Sequence, residues 1–205
     1  MINLDSATER WAKYKDDLTY ERWSATDVND LSVNEPRYEK MISYHNIDPA
    51  QHRGKCACFL SHTCIWRYIV MNKMNDILIL EDDAILVNPV PDDLPQDGFT
   101  YLGGFTSHKK ITDGPKKIDF EDGIHEIDHA AYKMLMTIAI YIPTWQVAHK
   151  MLQAAEGPER SRAIDTMIYK AHVPQYISYP ASFSEEPTAS QIRSGKNKFS
   201  NSKYE

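Results

Sequence analysis

The stretch "DILILEDDAIL", residues 76–86, carries four aliphatic side chains, Ile77 to Leu80, straight into three acids, Glu81, Asp82 and Asp83. An apolar run without alternation predicts a strand covered on both faces, as in the middle of a parallel sheet. Ligands of open α/β sheets collect outside the carboxyl ends of the strands, which is where these acids fall. Adjacent carboxylates repel one another, and a hard divalent cation such as magnesium or manganese relieves that repulsion through oxygen ligands. Zinc prefers nitrogen and sulfur, which this stretch does not offer. The same acids would also suit a solvated turn, so their neighbours have to decide.

A chain of 205 residues with 42% hydrophobic content can bury one substantial core, and we expect a single domain over 1–205 with a polar tail from about 196. The net charge of -6 argues against nonspecific binding to nucleic acid. Cys56, Cys58 and Cys64 are three cysteines within one apolar segment, so plain buried thiols are expected rather than a disulfide framework. A zinc site there would need a fourth ligand, for which His62 is the near candidate. No apolar run reaches the roughly 18 residues of a spanning helix, and the start "MINLDSATER" lacks the apolar region of a signal peptide. The expectation is a soluble, cytoplasmic chain in a reducing compartment, with no membrane span and an oligomeric state that the sequence leaves open.

Short apolar strings alternate with helix-like stretches, the pattern of an α/β domain. Candidate strands are Met1 to Leu4, Ile77 to Leu80, Phe99 to Leu102, Met134 to Ile142 and Gln175 to Ser178. Helical spacing from Lys55 to Met71 sets Phe59, Leu60, Ile65, Trp66, Ile69 and Val70 on one side. A second helix should start with Thr144 as N-cap and bury Val147, Ala148, Met151, Leu152 and Ala155. Ser161 should cap a third, with Ile164, Met167, Ile168 and Ala171 inward. Residues 89–98 read as a surface connection, and residues 107–128 as an irregular excursion.

Other stretches carry a family resemblance. "MINLDSATERW", "RWSATDVNDL", "RGKCACFLSHTCIW" followed closely by "ILILEDDAIL", then "YLGG", "YIPTWQVAHKML", "AIDTMIYK" and "SQIRSG" resemble, in this order, glycosyltransferase family 25, whose members build lipopolysaccharide and related glycans. The resemblance covers most of the chain. It departs in "AAYKMLMTIAIY", where the family usually shows a glycine, and this bears on the acceptor side. The short chain also resembles compact enzymes encoded by large DNA viruses such as the chloroviruses, which glycosylate capsid protein. The resemblance implies a GT-A-like fold, a single nucleotide-binding domain with a central, mostly parallel mixed sheet flanked by helices. It implies a metal-dependent sugar transfer from a nucleotide donor, a UDP-sugar such as UDP-glucose or a related UDP-hexose, to a glycan or glycoprotein acceptor.

Under that resemblance Asp83 is the first choice for ligating Mn2+ (or Mg2+), with Asp82 and Glu81 as further ligands or donor-sugar contacts. Asn3, Leu4 and Asp5 end the first strand, where a nucleoside would enter, and Arg10 could reach a phosphate. Asp5 could instead cap a helix starting near Ala7. Ala25, Thr26 and Asp27 are candidates to read uracil or ribose, and His62 to orient a loop or touch the donor. Asp165 is the candidate catalytic base, since inverting transfer needs a carboxylate near the acceptor hydroxyl. Glu185, Glu186, Ser190, Arg193 and Lys196 fall where such folds carry a mobile segment. Tyr44, Trp66, Trp145 and Tyr179 could stack on sugar or base, with core packing as the default. The rivals are a binding module without turnover, which gains little from crowded carboxylates, and a metal-dependent phosphohydrolase, which usually needs a denser His/Asp set.

Overall fold

The computed structural model describes residues 1–16, 19–29, 49–108, 120–129, 132–156, 164–168 and 171–186. Its elements run β1 (Ile2–Asn3), α1 (Thr8–Trp11), β2 (Trp23–Ser24), α2 (Pro49–Asn72), β3 (Ile77–Leu80), β4 (Ala84–Leu86), β5 (Phe99–Tyr101), β6 (Phe105–His108), β7 (Gly123–Glu126), β8 (Tyr132–Leu135), β9 (Ala139–Ile142), α3 (Trp145–Glu156), α4 (Ile164–Ile168), β10 (Gln175–Tyr179) and β11 (Phe183–Glu185). Five strands form the central sheet in the order β3-β9-β5-β10-β7.

The α/β class and the mixed sheet are as expected, but parallel pairing is scarcer. Within the central sheet β5 and β10 run parallel, whereas β3–β9, β5–β9 and β7–β10 are antiparallel. β3 is therefore the terminal strand of this sheet rather than a middle strand of a parallel one. Its residues are nevertheless covered on two sides, because Ile79 enters the larger core and Leu80 a smaller one beside Met1, Leu102, Ile138 and Phe183. A parallel bridge from Ile2 to Glu81 brings the parallel pair β1–β2 against the end of β3. Three chain segments thus deliver their carboxyl ends to one place.

Helix α2 opens on Pro49, whose fixed φ suits a first turn. It ends where Lys73 takes a left-handed φ of 50° and the Met74 amide donates to the Ile69 carbonyl at 3.0 Å. Phe59, Ile65, Trp66 and Ile69 are buried, and Leu60 and Val70 partly so. The Arg67 guanidinium pairs with Glu156 and ties α2 to α3. Thr144 caps α3 as expected, its hydroxyl accepting the Val147 amide at 3.4 Å, and the predicted stripe Val147, Ala148, Met151, Leu152 and Ala155 is the buried one. Ile164, Met167, Ile168 and Ala171 also point inward.

Two strand expectations are corrected. Met134–Ile142 is two strands, β8 and β9, because Met136 adopts a left-handed φ of 72° between them. Gly123–Glu126, expected as irregular, is the far strand of the central sheet, paired with β10. Trp66 is core, Trp145 packs against it, and Tyr179 meets the Phe120 ring. Tyr44, Ser161, Ser190, Arg193, Lys196 and the polar tail lie outside the described residues. Among those described, no helix is long and apolar enough to cross a membrane.

Candidate active site

Residues 81–84 turn tightly where β3 ends. The Glu81 amide donates to the Ile138 carbonyl, and the Ala84 amide donates back to the Glu81 carbonyl at 3.1 Å. Ala84 is buried, and the Tyr14 hydroxyl donates to its carbonyl at 2.9 Å. With the backbone pinned on both sides, the three carboxylates receive three different environments.

Asp82 faces α1. Arg10 Nη1 donates to its Oδ1 at 2.7 Å and Asn3 Nδ2 to its Oδ2 at 2.8 Å. Arg10, expected to reach a phosphate, thus holds an acid of the strand end. Arg22 continues the network, donating to Asn3 Oδ1 and pairing with Asp5 at 2.8 Å. Asp5 also accepts from Ser24 and does not cap α1, which has Ala7 at the N-cap and no side-chain cap. The Leu4 carbonyl accepts the Ala7 amide and Arg22.

Glu81 faces α2 and the β8–β9 connection. The Thr137 hydroxyl donates to its Oε1 at 2.6 Å, and His62 Nε2 lies 3.4 Å from the same oxygen. His62 is buried, as a core histidine would be, yet it sits against an acid rather than in an apolar shell. The loop after β2 joins this group: Ala25 donates its amide to the Asn3 carbonyl, and Thr26 its amide to the Ser61 hydroxyl. Asp27 instead closes its own loop by accepting from Asn29.

Asp83 is 8% exposed, and among the described residues its Oδ1 has no hydrogen-bond partner. Burial first, then the nearby Glu81, Glu185 and Asp82 carboxylates, push its acid up to about 7 against the opposing pull of Arg10. An orphaned buried carboxylate oxygen among other acids is what a hard dication would satisfy, so the residues fit magnesium or manganese. The Asp165 charge reaches this region through Cys58. Burial and then the charges of Glu81, Asp165 and Asp83 push the Cys58 thiol well above its ordinary range. The Glu186 amide donates to the Asp83 carbonyl at 2.7 Å, and Lys13 binds the Glu186 carboxylate at 2.5 Å, so the end of β11 closes over the turn.

The structure therefore gathers Asn3, Arg10, His62, Glu81, Asp82 and Asp83, ties Asp5 to them through Arg22, sets the Asp165 charge within reach of Cys58, and leaves the Asp27 carboxylate in a local contact. Sequence reasoning missed Thr137, Arg22, Ser61 and the nearness of Cys58 to His62 and Glu81. Cys58 and His62 stand four residues apart on a helix, and that spacing was the available signal. Thr137 carried none, since its contact spans 56 positions.

Known proteins bear on the same segments. The family model described as glycosyltransferase family 25 (LPS biosynthesis protein) matches residues 1–168. A glycosyltransferase 25 family member of Drosophila pseudoobscura pseudoobscura is 36% identical over 95 residues, 40% of this chain and 15% of that protein. One of Drosophila melanogaster is 35% identical over 101 residues, with the same shares. The chain thus covers about 15% of the length of these curated relatives.

Proposed function

Because the chain belongs to glycosyltransferase family 25, we propose that it moves a sugar from a UDP-sugar donor, a UDP-hexose such as UDP-glucose, onto a glycan or glycoprotein acceptor with Mn2+ or Mg2+ at Asp83. The observation that carries this reading is the buried Asp83 oxygen without a partner, at the point where β1, β2 and β3 end together. A bound dication would supply Lewis-acid stabilisation of the departing diphosphate.

The chain's own residues take the other tasks. Asp83 ligates, with Glu81 as the neighbouring carboxylate. Asp82, already paired with Arg10 and Asn3, acts as a fixed acceptor toward the donor sugar and keeps α1 seated. The backbone of residues 3–5 and 25–27 borders the nucleoside. Asp165 takes the proton of the acceptor hydroxyl as its oxygen bonds to the anomeric carbon and the bond to the diphosphate breaks, which inverts that carbon.

Calorimetric titration with UDP, CDP and GDP, each with and without manganese, on wild type and Asp83→Asn tests the donor half. Metal-strengthened binding selective for UDP, lost in the variant, is expected; no nucleotide binding under any condition would overturn the reading. Asp165→Asn tests the acceptor half. Its transfer should fall at least ~100-fold with donor binding retained, in the range of a lost general base. Equal losses in both would return Asp165 to a structural role.

A further inference from the structure

Cys58 and His62 lie one helical turn apart on α2, and such residues share a helix face. Glu81, at the end of β3, meets that face. A ligand atom of each, the Cys58 sulfur, a ring nitrogen of His62 and a carboxylate oxygen of Glu81, lies within 4.8 Å of the other two. His62 Nε2 and Glu81 Oε1 are already 3.4 Å apart, a spacing that ligands about 2.0–2.3 Å from a tetrahedral ion would show.

The donor set is that of a borderline-soft metal. One sulfur, one imidazole nitrogen and one carboxylate oxygen suit zinc, whereas magnesium and manganese favour all-oxygen surroundings. The features of a supported site are present as well. His62 is 1% exposed, and the Thr137 hydroxyl donates to Glu81 Oε1 at 2.6 Å, the kind of outer contact that orients a ligating group. Cys58 is in no disulfide. The thiol stands near the acids Glu81, Asp165 and Asp83, where a dication would offset like charge and make the thiolate accessible.

We propose that Cys58, His62 and Glu81 form a zinc-selective site, separate from the all-oxygen position at Asp83, that fastens helix α2 to the strand end carrying the acids. Three protein ligands leave the fourth tetrahedral position for water. The inference does not depend on the donor reading. It assigns Glu81 Oε1 to the α2 side of the turn, and Asp83 to the other.

The test uses the full chain, stripped of metal and titrated with Co2+ and then Zn2+. A near-ultraviolet thiolate-to-cobalt absorption band should grow to saturation at one equivalent of cobalt, and zinc should bleach it while excess magnesium or manganese does not. Cys58→Ser should remove the band and weaken zinc, read by competition with a chromophoric chelator, by about 100-fold or more, at or beyond the upper end for loss of an outer-shell partner. Glu81→Gln should keep the band and weaken zinc, and Cys64→Ser and Asp83→Asn should change neither. Absence of the thiolate band in wild type overturns the proposal without any variant, as does its survival in Cys58→Ser. Loss of manganese-dependent UDP binding in Asp83→Asn with zinc binding intact shows the two positions to be separate; loss of both together overturns that separation.

Discussion

Asp83 is buried beside the charges of Glu81, Glu185 and Asp82. Its acid is held at about 7 against an ordinary 3.8, chiefly by burial, so between pH 4 and 7 the folded, ion-free chain binds a proton that the unfolded chain has released. Stability must then fall as pH rises through that window, by up to about 4 kcal/mol at pH 8. Asp83→Asn removes the ionisation, and should make the ion-free protein more stable than wild type at pH 8 while leaving the two alike near pH 4. Urea unfolding at the two pH values checks this, and the difference between the proteins cancels the titrating groups that Asp83 does not touch, leaving Asp83 with the Glu81, Glu185, Asp82 and Arg10 charges coupled to it; parallel pH profiles would take Asp83 out of the account. Manganese should close the gap at pH 8 by offsetting the charge and displacing the proton. The run of acids was legible from sequence because three neighbours and an apolar strand announce themselves locally. Their separation into a paired Asp82, a shared Glu81 and a buried Asp83 was not, since it depends on Arg10, Thr137 and His62, which arrive from distant segments.

At the scale of elements, legibility followed periodicity. The buried stripe of α3 and its Thr144 cap could be read residue by residue because a helix repeats its face every few positions. The short strands could not. Gly-Ile-His-Glu at 123–126 has a single aliphatic residue, and only its pairing with β10 makes it a strand. Met134–Ile142 reads as continuous because nothing in the residue type of Met136 signals its φ of 72°. Gly98 shows how closely these elements meet. A Cβ there would lie 2.0 Å from the Pro174 carbonyl oxygen, just ahead of the parallel pair β5–β10. The neighbour is backbone, so the clash cannot be relieved by a rotamer. Gly98→Ala should cost about 2–3 kcal/mol, the upper range of overpacking in a core, read as a lower urea midpoint with an unchanged slope. An unchanged midpoint would mean that β5 and β10 approach less closely at this end.

Among the described residues, the acids lie where the larger core and the smaller one around Leu80 adjoin. Ile79 and Leu80, adjacent in β3, enter different cores, and Glu81 follows them directly. Around that point stand Asn3 and Arg10 from the amino-terminal segment, His62 from α2, Thr137 from the β8–β9 connection and Glu186 beyond β11. No window of sequence contains this set: all but Thr137 could be named one by one from the sequence, and the fold shows how they meet. The same layout bears on the single-domain expectation. A ligand contacting segments from both cores adds its binding energy to the folded state of the whole rather than of one part. Manganese with UDP at one hundred times the dissociation constant should stabilise the fold by about 2.7 kcal/mol, which for a chain of this size raises the melting temperature by about 5–10 °C. Calorimetry should show one transition moving as a unit, and Asp83→Asn should not show the shift. Two transitions, only one of them displaced by ligand, would instead assign the amino-terminal strands and the β3–β9 sheet to separately melting units joined at Glu81.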